Sequence, residues 1–256
     1  YTDTYNERIW NQTYEMAKPT IDMCEDYLVI YDKKGTQIYI MTSQGLVSNI
    51  ETTMTIEQVS IAAQGTVAVL MGDQSNSYLV VYDKNGKELV NGAIYGEDGG
   101  YPIAIALSND AIKLAVSMLD INDGNVKTTI AFYNFGSVGE NEIDRIVSAN
   151  SFSDMVIPQL DFVSDDRMVA YGDSEIAIFE GTQKPKLPQE IPLTGEAKSI
   201  FNNNKYVGVV YSNNDEKLTH HVAVYDMHGF TVMEKDFSQE YTEIGFLSNN
   251  EVCILN

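Results

Sequence analysis

Short stretches of alternating apolar and polar residues run along the whole chain, and Gly, Asn or Asp interrupts them at intervals of roughly eight to twelve residues. Alternation with a period of two is typical of β-strands that bury one face. The stretches are rich in β-branched and aromatic residues, and the apolar spacing nowhere favours an amphipathic helix. The pattern therefore predicts an all-β protein built of many short strands.

One short phrase recurs along the chain: two or three apolar residues at alternating positions, then an aromatic residue, then an acid or an amide. Four clear copies begin 51, 46 and 46 residues apart, and a degenerate copy begins 41 residues before the first of them. Periods of this length are typical of four-stranded propeller blades and exceed those of helical repeats such as ankyrin. In chain order the copies are Ile38–Thr42, Leu79–Asp83, Ile130–Asn134, Ile176–Glu180 and Val222–Asp226.

Each period contains four strand-like segments joined by tight turns, which is the layout of a propeller blade. Lys84–Lys87 contains an Asn-Gly pair, so we expect a type I′ hairpin turn there. Leu28–Asp32 also matches the phrase, but we assign it to the second strand of its blade because two further strands must follow it. We expect the acid or amide of each phrase to cap a turn. The aromatic residues, which we expect to pack between blades, are Tyr82, Tyr133, Phe179 and Tyr225.

The sequence thus predicts a single β-propeller domain over residues 1–256, built of four-stranded antiparallel blades. Arg8–Met16 predicts one outermost strand, and Tyr241–Leu255 predicts two inner strands. These pieces either close a six-bladed ring or belong to a longer propeller, so the intact ring should have six or more blades. Closure removes the exposed sheet edges that invite aggregation. The five complete blades are predicted at about 21–51, 56–91, 101–147, 157–193 and 196–237.

The net charge of the chain disfavours some classes of binding partner. The chain has 37 acidic and 16 basic residues, a formal net charge of −21. Such a surface repels phosphate backbones, and no cluster of Lys or Arg offsets it, which argues against nucleic acid and anionic lipid as partners. The longest apolar runs are too short to span a bilayer. An acidic exterior also keeps a protein soluble without any specific partner, so the charge alone does not identify a cationic one.

The cysteines and histidines predict no metal site and no cofactor. Cys24 and Cys253 lie in apolar, strand-like segments, and we expect both to remain unpaired. His220 and His221 are neighbours on a predicted strand, so their side chains point to opposite faces and cannot share a metal ion. His228 lies in a predicted turn.

Two glycine-containing loops differ from the functional motifs that they resemble. Asp120–Gly124 begins like a calcium loop, but its glycine comes one place early and Ala131 stands where a bidentate Glu is needed, so we predict a β-turn. Gly96–Gly100 contains two acids and no lysine, which disfavours phosphate binding, and we interpret it as a loop between blades. Asp173 and Ser174 have no suitably spaced histidine. We predict no catalytic residue.

A group of aspartates, Asp154, Asp161, Asp165 and Asp166, could in principle carry chemistry. Paired carboxylates at a fixed separation can hydrolyse glycosidic bonds, although chance clustering explains the group in so acidic a chain. Acids that face a central channel beside an exposed tyrosine would favour a glycan function, whereas acids scattered over the rim would disfavour it. Asn11–Thr13 is a glycosylation sequon, which has meaning only in a secreted eukaryotic protein.

From Trp10 onward the chain resembles an uncharacterised family of Gram-positive bacterial proteins, classified as a domain of unknown function. The resemblance rests on Ile21–Ile30, Gln64–Leu70, Tyr101–Ser108 and Lys127–Phe135, of which the last two are the most specific. It implies a short tail, one transmembrane helix and then an extracytoplasmic propeller-like domain that continues past the end of this sequence. The membrane anchor would lie outside this chain. No catalytic residues come with the resemblance.

These observations favour a non-enzymatic module at the cell envelope that binds protein partners on one rim of the propeller. Propellers present loops from many blades on a rigid ring, and binding sites are commonly built on such loops. The alternative is a glycan-binding or glycan-hydrolysing propeller that uses carboxylates in its central channel. A third hypothesis is a purely structural extracellular domain of a sensor.

Overall fold

The computed structural model describes residues 1–2, 5, 7–73, 76–94, 100–213 and 217–256. These residues form five four-stranded antiparallel sheets and one two-stranded sheet. Within every sheet, strands that are neighbours in space are also neighbours in sequence. The sheets are the blades of a β-propeller, as the sequence predicts, and we number them 1 to 6 in chain order.

The strands of blades 1 to 3 are β1 (Pro19–Cys24), β2 (Tyr27–Asp32), β3 (Gln37–Thr42), β4 (Gly45–Glu51), β5 (Thr55–Ile61), β6 (Val67–Gly72), β7 (Ser77–Tyr82), β8 (Glu88–Ile94), β9 (Tyr101–Leu107), β10 (Lys113–Asn122), β11 (Asn125–Asn134) and β12 (Ile146–Ser153). Those of blades 4 to 6 are β13 (Gln159–Ser164), β14 (Arg167–Tyr171), β15 (Glu175–Glu180), β16 (Lys186–Pro192), β17 (Ala197–Asn202), β18 (Tyr206–Ser212), β19 (His220–Asp226), β20 (Thr231–Phe237), β21 (Glu243–Phe246) and β22 (Val252–Leu255).

The first strand of each blade is the innermost. Strand β1 contacts β5, β5 contacts β9 and β9 contacts β13, so these strands surround a common centre. Two short 3₁₀ turns, Gly139–Asn141 and Ile143–Arg145, precede β12. Because of this longer loop, the outer strand of blade 3 runs to Ser153, beyond the predicted blade end at 147. None of the helices in the described ranges has the length and hydropathy needed to cross a membrane.

The hydrophobic cores lie between consecutive blades. In β15, Ile176 and Ile178 pack towards blade 5, whereas Ala177 and Phe179 pack towards blade 3. A strand that is buried on both faces needs apolar residues at successive positions. This requirement explains why the repeated phrase reads as a nearly continuous apolar run.

The recurrent aromatic residue packs against the preceding blade, which confirms the predicted role. Phe179 lies in the core between blades 3 and 4, where its ring centroid is 5.1 Å from that of Phe132 and 6.3 Å from that of Phe152. Each of the others lies in the core between its own blade and the preceding one. Tyr82 packs on blade 1, Tyr133 on blade 2 and Tyr225 on blade 4.

The acid or amide after the aromatic caps the turn in three of the four clear copies. Oδ1 of Asp83 accepts hydrogen bonds from the backbone N–H groups of Asn85 and Lys87, both at 2.9 Å. The Lys87 bond in particular lowers the pKa of Asp83. Asp226 accepts two backbone bonds in the same way, and Asn134 accepts one.

Two turn predictions were wrong in detail. Gly86 has a φ of 81°, but Asn85 has no positive φ, so the turn is not type I′. It is a three-residue loop with a glycine bulge, which also accommodates Asn-Gly. In the copy Ile176–Glu180, the side chain of Glu180 does not cap the turn. Its carboxylate instead accepts a hydrogen bond from Nε of Arg167 at 2.7 Å.

Arg8–Met16 does not form the predicted outermost strand. The segment lies over the free face of blade 1, where Trp10 Nε1 donates to the carbonyl of Ser43 at 2.9 Å. The rings of Tyr14 and Tyr39 are 6.2 Å apart. In the other complete blades the corresponding face is covered by the preceding blade, and here large side chains of this segment cover part of it.

Replacing Phe179 by alanine should lower the free energy of unfolding by about 3–5 kcal/mol, because the ring is fully buried between two blades. Phe230→Ala makes the same change at a side chain that is 69% exposed, and it should cost less than about 0.5 kcal/mol. Urea unfolding followed by circular dichroism measures both values. Similar losses in the two variants would contradict the inter-blade role of the repeated aromatic residue.

Candidate functional site

A cavity of about 820 Å³ lies between the first strands of blades 1 to 4 and forms the central channel. Strands β1, β5, β9 and β13 contribute most of its wall, and the end of β17 contributes the rest. Acid, amide and hydroxyl side chains converge on it. They include Asp22, Gln58, Gln159, Asp161 and Asn202.

Several of these side chains bond to backbone groups of the next blade. An innermost strand has a partner on one side only, so part of its backbone faces the channel and needs other hydrogen-bond partners. Oδ2 of Asp22, in blade 1, accepts from the N–H of Ile61 in blade 2 at 2.9 Å. The Gln58 amide accepts from the N–H of Ile105 in blade 3 at 2.9 Å and donates to its carbonyl at 3.1 Å. These channel residues therefore join the blades.

Two carboxylates of the channel have raised pKa values. Burial is the main cause that raises the pKa of Asp161 above its usual value of 3.8, and the negative charge of Asp22 raises this pKa further. Hydrogen bonds to Oδ2 of Asp161 from Gln159 (3.1 Å) and Asn202 (2.9 Å) lower the pKa and so offset part of the increase. Burial likewise raises the pKa of Asp22, opposed first by the N–H of Ile61. The effect of Asp22 on Asp161 agrees with their position in one cavity.

The tyrosines beside these acids are buried. The hydroxyl of Tyr171 accepts a hydrogen bond from Asn202 Nδ2 at 2.7 Å, and burial raises its pKa well above 10. Tyr31 is only 3% exposed. A sugar ring stacks on an open aromatic face, which neither tyrosine presents. Of the two conditions for a glycan function, the described residues meet the first, because Asp161 faces the channel.

Turns that join first and second strands surround one mouth of the channel, a depression of about 710 Å³. All five complete blades contribute polar side chains to it: Glu25, Gln64, Asn109, Asp110, Asp165 and Asn204. Within the described ranges, neither Lys nor Arg lines this mouth. The mouth is therefore a ring of acids and amides built on rigid hairpins.

The acids of the mouth differ in how firmly they are held. Asp110 accepts a hydrogen bond from Ser108 Oγ at 2.5 Å, and its Oδ2 lies 3.5 Å from Nζ of the buried Lys113. Glu25 and Asp165 have no hydrogen-bond or ion-pair partner among the residues that the structure describes. These two carboxylates are free to contact another molecule.

Cys24 lies at the end of β1, next to the mouth. Burial first, and then the charges of Glu25, Asp22 and Asp165 in that order, together raise the pKa of its thiol to about 11. The three carboxylates thus act on one buried group, which shows how negative this end of the channel is. A thiol with so high a pKa stays protonated and unreactive at neutral pH. Both Cys24 and Cys253 are free, as expected.

The remaining aspartates of the predicted group lie apart from the channel. Oδ1 of Asp166 accepts a hydrogen bond from Ser164 Oγ at 2.7 Å. Asp154 lies in the turn after β12, with a φ of 57°. Asp173, which is the neighbour of Ser174 and not a member of this group, accepts a hydrogen bond from the backbone N–H of Val156 at 3.3 Å. The structure therefore places Asp161 in the channel and Asp165 at its mouth, and it does not assemble the group into one site.

The two neighbouring histidines point to opposite faces of their strand, as predicted. His220 packs against the rings of Phe237 and Tyr241, at centroid distances of 5.0 and 5.3 Å. His221 pairs with Asp236, 2.7 Å away. Among the described residues, His, Cys, Asp and Glu form no group of three that could hold a metal ion.

The three remaining candidates lie in loops. In Asp120–Gly124, Asp123 and Gly124 have φ values of 50° and 81°, which confirms a β-turn, here of type I′, between β10 and β11. His228 is exposed in the turn before β20. Most of Gly96–Gly100 lies outside the described residues.

Sequence analysis missed the roles of Asp22, Gln58 and Asn202. Asp22 and Gln58 share a signal with Asp161: each is a polar residue within an otherwise partly apolar strand that opens a blade. The signal has little specificity, because a polar residue in a strand usually faces solvent. Here the residues face a channel that exists only when the blades assemble.

The raised pKa of Asp161 predicts how stability depends on pH. The folded state holds the proton of Asp161 more tightly than the unfolded chain, so this group lowers stability as the pH rises from about 3.8 through the raised value. Asp161→Asn keeps an oxygen for Gln159 and Asn202, and its stability should fall less steeply over that range. The free energy of unfolding, measured by urea titration from about pH 4 to pH 8, tests this.

Asp123→Asn, in the exposed β10–β11 turn, removes one charge without touching the channel and serves as the control. If Asp161→Asn and Asp123→Asn show the same pH dependence, the assignment of a buried, protonation-favouring site to Asp161 is wrong.

Comparison with solved structures shows the propeller fold alone, since the sequence identities are low. The chain aligns with a eukaryotic initiation factor at 12% identity and a TM-score of 0.55, with 98% of this chain and 60% of that chain covered. It aligns with Hsv2 of Kluyvelomyces marxianus at 12% identity and a TM-score of 0.59, with 93% of this chain and 69% of that chain covered. It aligns with the acylaminoacyl peptidase of Pyrococcus horikoshii at 10% identity and a TM-score of 0.57, with 90% of this chain and 41% of that chain covered. The chain thus spans about 60% of the length of the initiation-factor chain.

The sequence comparisons give the relationship at the level of a family. No curated protein matches the chain. A family model matches residues 1–256, and the description of that family states that its function is unknown. The chain therefore belongs to the family of unknown function DUF5711.

Proposed function

We propose that this propeller is a non-enzymatic interaction module that binds a cationic segment of a partner protein over the channel mouth. The observation that carries the proposal is the mouth itself, where turns from all five complete blades meet and where Glu25 and Asp165 present unpaired carboxylates. Loops held by a rigid scaffold are common places for binding sites.

Charge supports a cationic partner. The chain has a formal net charge of −21, and a cleft lined by one sign of charge concentrates the field and speeds the approach of an oppositely charged ligand. Acidic side chains at the mouth add a local attraction to this long-range one. Such attraction contributes to on-rate and specificity more than to raw affinity.

The channel acids support a structural role over a catalytic one. Oδ2 of Asp22 accepts from the N–H of Ile61 in the next blade, Oδ2 of Asp161 accepts from Gln159 of its own strand and from Asn202 of β17, and the nearby tyrosines are buried. A glycosidase needs two carboxyl groups that reach the scissile bond from opposite sides. The likeness to a peptidase is a likeness of fold at 10% identity and carries no argument about catalysis.

The proposal includes a location outside the cytoplasm, with tethering to the membrane through an anchor outside this chain. The sequence resemblance to membrane-anchored extracytoplasmic proteins of Gram-positive bacteria supports this part. Protease accessibility of the tagged protein in intact cells tests it: digestion without lysis is expected, and protection until the cells are lysed would contradict it.

Affinity capture from solubilised cell-envelope extract tests the binding function. The immobilised domain should enrich a protein with a basic exposed segment, and the variant Glu25→Gln/Asp165→Asn should weaken its binding by about 2- to 30-fold, because each exposed charge contributes about 0.2–1 kcal/mol. Mass spectrometry identifies the captured protein, and titration of the purified pair measures the loss. Binding should also weaken as salt is raised.

Glu51→Gln/Glu88→Gln is the matched control, because it removes two exposed charges from outer strands. It should bind as the wild type does. Equal binding by the mouth variant and this control would refute the mouth as the site. Recovery of glycan without an enriched protein would instead favour the alternative function, a glycan-binding or glycan-hydrolysing channel.

A further inference from the structure

The connection between the third and fourth strands of blade 3, residues 135–145, is longer than its counterparts, and we call it the blade 3 loop. In the other complete blades this connection has two to five residues. Because neighbouring strands of a blade are antiparallel, the connection emerges at the same end of the sheet as the turn between the first and second strands. The blade 3 loop therefore lies on the face of the propeller that carries the channel mouth.

The blade 3 loop is folded tightly against its own blade. Gly139 is buried, and a Cβ atom at this position would lie 1.7 Å from the carbonyl oxygen of Asn134. A residue other than glycine would therefore push the loop away from β11. The side-chain amide of Asn141 donates to the carbonyl of Ser137 at 2.9 Å, which closes the loop from within.

The same loop is also attached to blade 4. Nδ2 of Asn134, at the end of β11, donates to the carbonyl of Gln183 at 3.1 Å. Nζ of Lys184 forms an ion pair with the carboxylate of Glu142. Gln183 and Lys184 both belong to the connection between β15 and β16. Two blades thus hold the loop, and binding sites are commonly built on loops that a rigid scaffold positions.

The loop presents Ile143 to solvent. This side chain is 86% exposed, a value that only Tyr5 equals among the large hydrophobic side chains of the described residues. The next two residues, Asp144 and Arg145, have φ values of 52° and 62°. Left-handed backbone is uncommon outside glycine, and such conformations cluster at functional sites. Single exposed apolar residues are ordinary, but here a tightly closed loop with unusual backbone holds one at its tip.

The charge around Ile143 has the same sign as the charge of the mouth. Glu140 and Asp144 are exposed and have no hydrogen-bond or ion-pair partner among the residues that the structure describes. A basic segment is therefore attracted here as it is at the mouth. A second copy of this chain would bring its own net charge of −21 and be repelled.

Exposed apolar surface connects the loop with the mouth. Ile112 is 41% exposed, and its carbonyl accepts from the N–H of Phe135, the first residue of the loop, at 2.8 Å. Ile112 comes two residues after Asp110, which lines the mouth. The turn between the first two strands and the loop between the last two are offset by two strand spacings, about 10 Å. An extended chain covers this distance with about three residues.

We propose that the blade 3 loop is a second contact point for the cationic segment that binds over the mouth. It selects a segment that carries a large apolar residue about three positions from its basic residues. The apolar residue packs on Ile143 and Ile112 while the basic residues face the acids of the mouth. This inference rests on the proposed function, since it specifies the partner of the same face. Burial of the apolar residue adds affinity that exposed charges alone supply poorly.

Synthetic peptides of defined sequence test the inference. The apolar probe is Lys-Arg-Lys-Ser-Gly-Leu, and the polar probe has serine in place of leucine. Each is also made in reverse order, because the proposal does not fix the direction of the segment. Binding of the fluorescently labelled probes to the purified chain is measured by anisotropy. In at least one order the apolar probe should bind about 3- to 15-fold more tightly than the polar probe, because its leucine leaves water on contact with Ile143.

Ile143→Ser should abolish this difference and leave binding of the polar probe unchanged. Ile143→Val keeps an aliphatic side chain and should retain most of the difference. Ile121→Ser is the matched control, because Ile121 is 66% exposed in the β10–β11 hairpin at the other end of blade 3, and it should bind both probes as the wild type does. The difference should persist as salt is raised, since salt screens charges and not apolar contact.

The proposed function and this inference fail in different ways. If Glu25→Gln/Asp165→Asn binds the polar probe as tightly as the wild type does, the mouth is not the site and the proposed function is wrong. If that variant weakens binding but the wild type binds the apolar and polar probes equally in both orders, only the role of the loop is refuted.

Two further results would overturn the role of the loop. One is an equal effect of Ile143→Ser and Ile121→Ser on binding of the apolar probe. The other is a dimer of the free chain, detected by sedimentation, that Ile143→Ser dissociates, because a second copy would then be what covers Ile143.

Discussion

The contact between one blade and the next is the interaction on which this structure depends. Each hydrophobic core is shared by two consecutive blades, so a blade alone would expose both of its apolar faces. A repeat that cannot bury its own faces gains stability only when a neighbour stacks on it. The aromatic residue of the phrase, fully buried in the case of Phe179, supplies much of that contact.

The innermost strands add a polar counterpart to these cores. Their free backbone edge would be costly to leave unpaired near the centre of the molecule. Side chains from the preceding blade meet this need, as Asp22 does for Ile61 and Gln58 does for Ile105. The acids and amides of the channel are thus explained by architecture, although their raised pKa values would, in isolation, have marked them as candidates for catalysis.

The acids inside the channel differ from those at its mouth in whether they have hydrogen-bond partners. Inside the channel, Asp161 is bonded to Gln159 and Asn202 and has little freedom to act on another molecule. At the mouth, the carboxylates of Glu25 and Asp165 have no hydrogen-bond or ion-pair partner among the described residues. The polar side chains inside the channel form hydrogen bonds within the propeller, whereas the unpaired carboxylates lie at the channel mouth, where another molecule can reach them.

Local chemistry was predictable where the determining residues are close in sequence. The strands, the caps at Asp83 and Asp226 and the β-turn at Asp123 follow from alternation and from turn residues within a few positions. The turn at Gly86 shows the limit, because Asn-Gly suits both a two-residue turn and a bulged three-residue loop.

By itself, the sequence determined the all-β class, the repeat, the four-stranded blade and the packing of the aromatic residues between blades. An alternation with a period of two is a local signal, and a repeat with a period near 46 residues is visible by comparing the chain with itself. Only the tertiary structure decided that Arg8–Met16 covers blade 1 without forming a strand, and that Asp161 lies in the channel while Asp154 and Asp166 do not. The reason is physical: which face of a strand meets a channel, a neighbour or solvent depends on how the blades stack, and that arrangement is set by contacts between residues about forty or more positions apart.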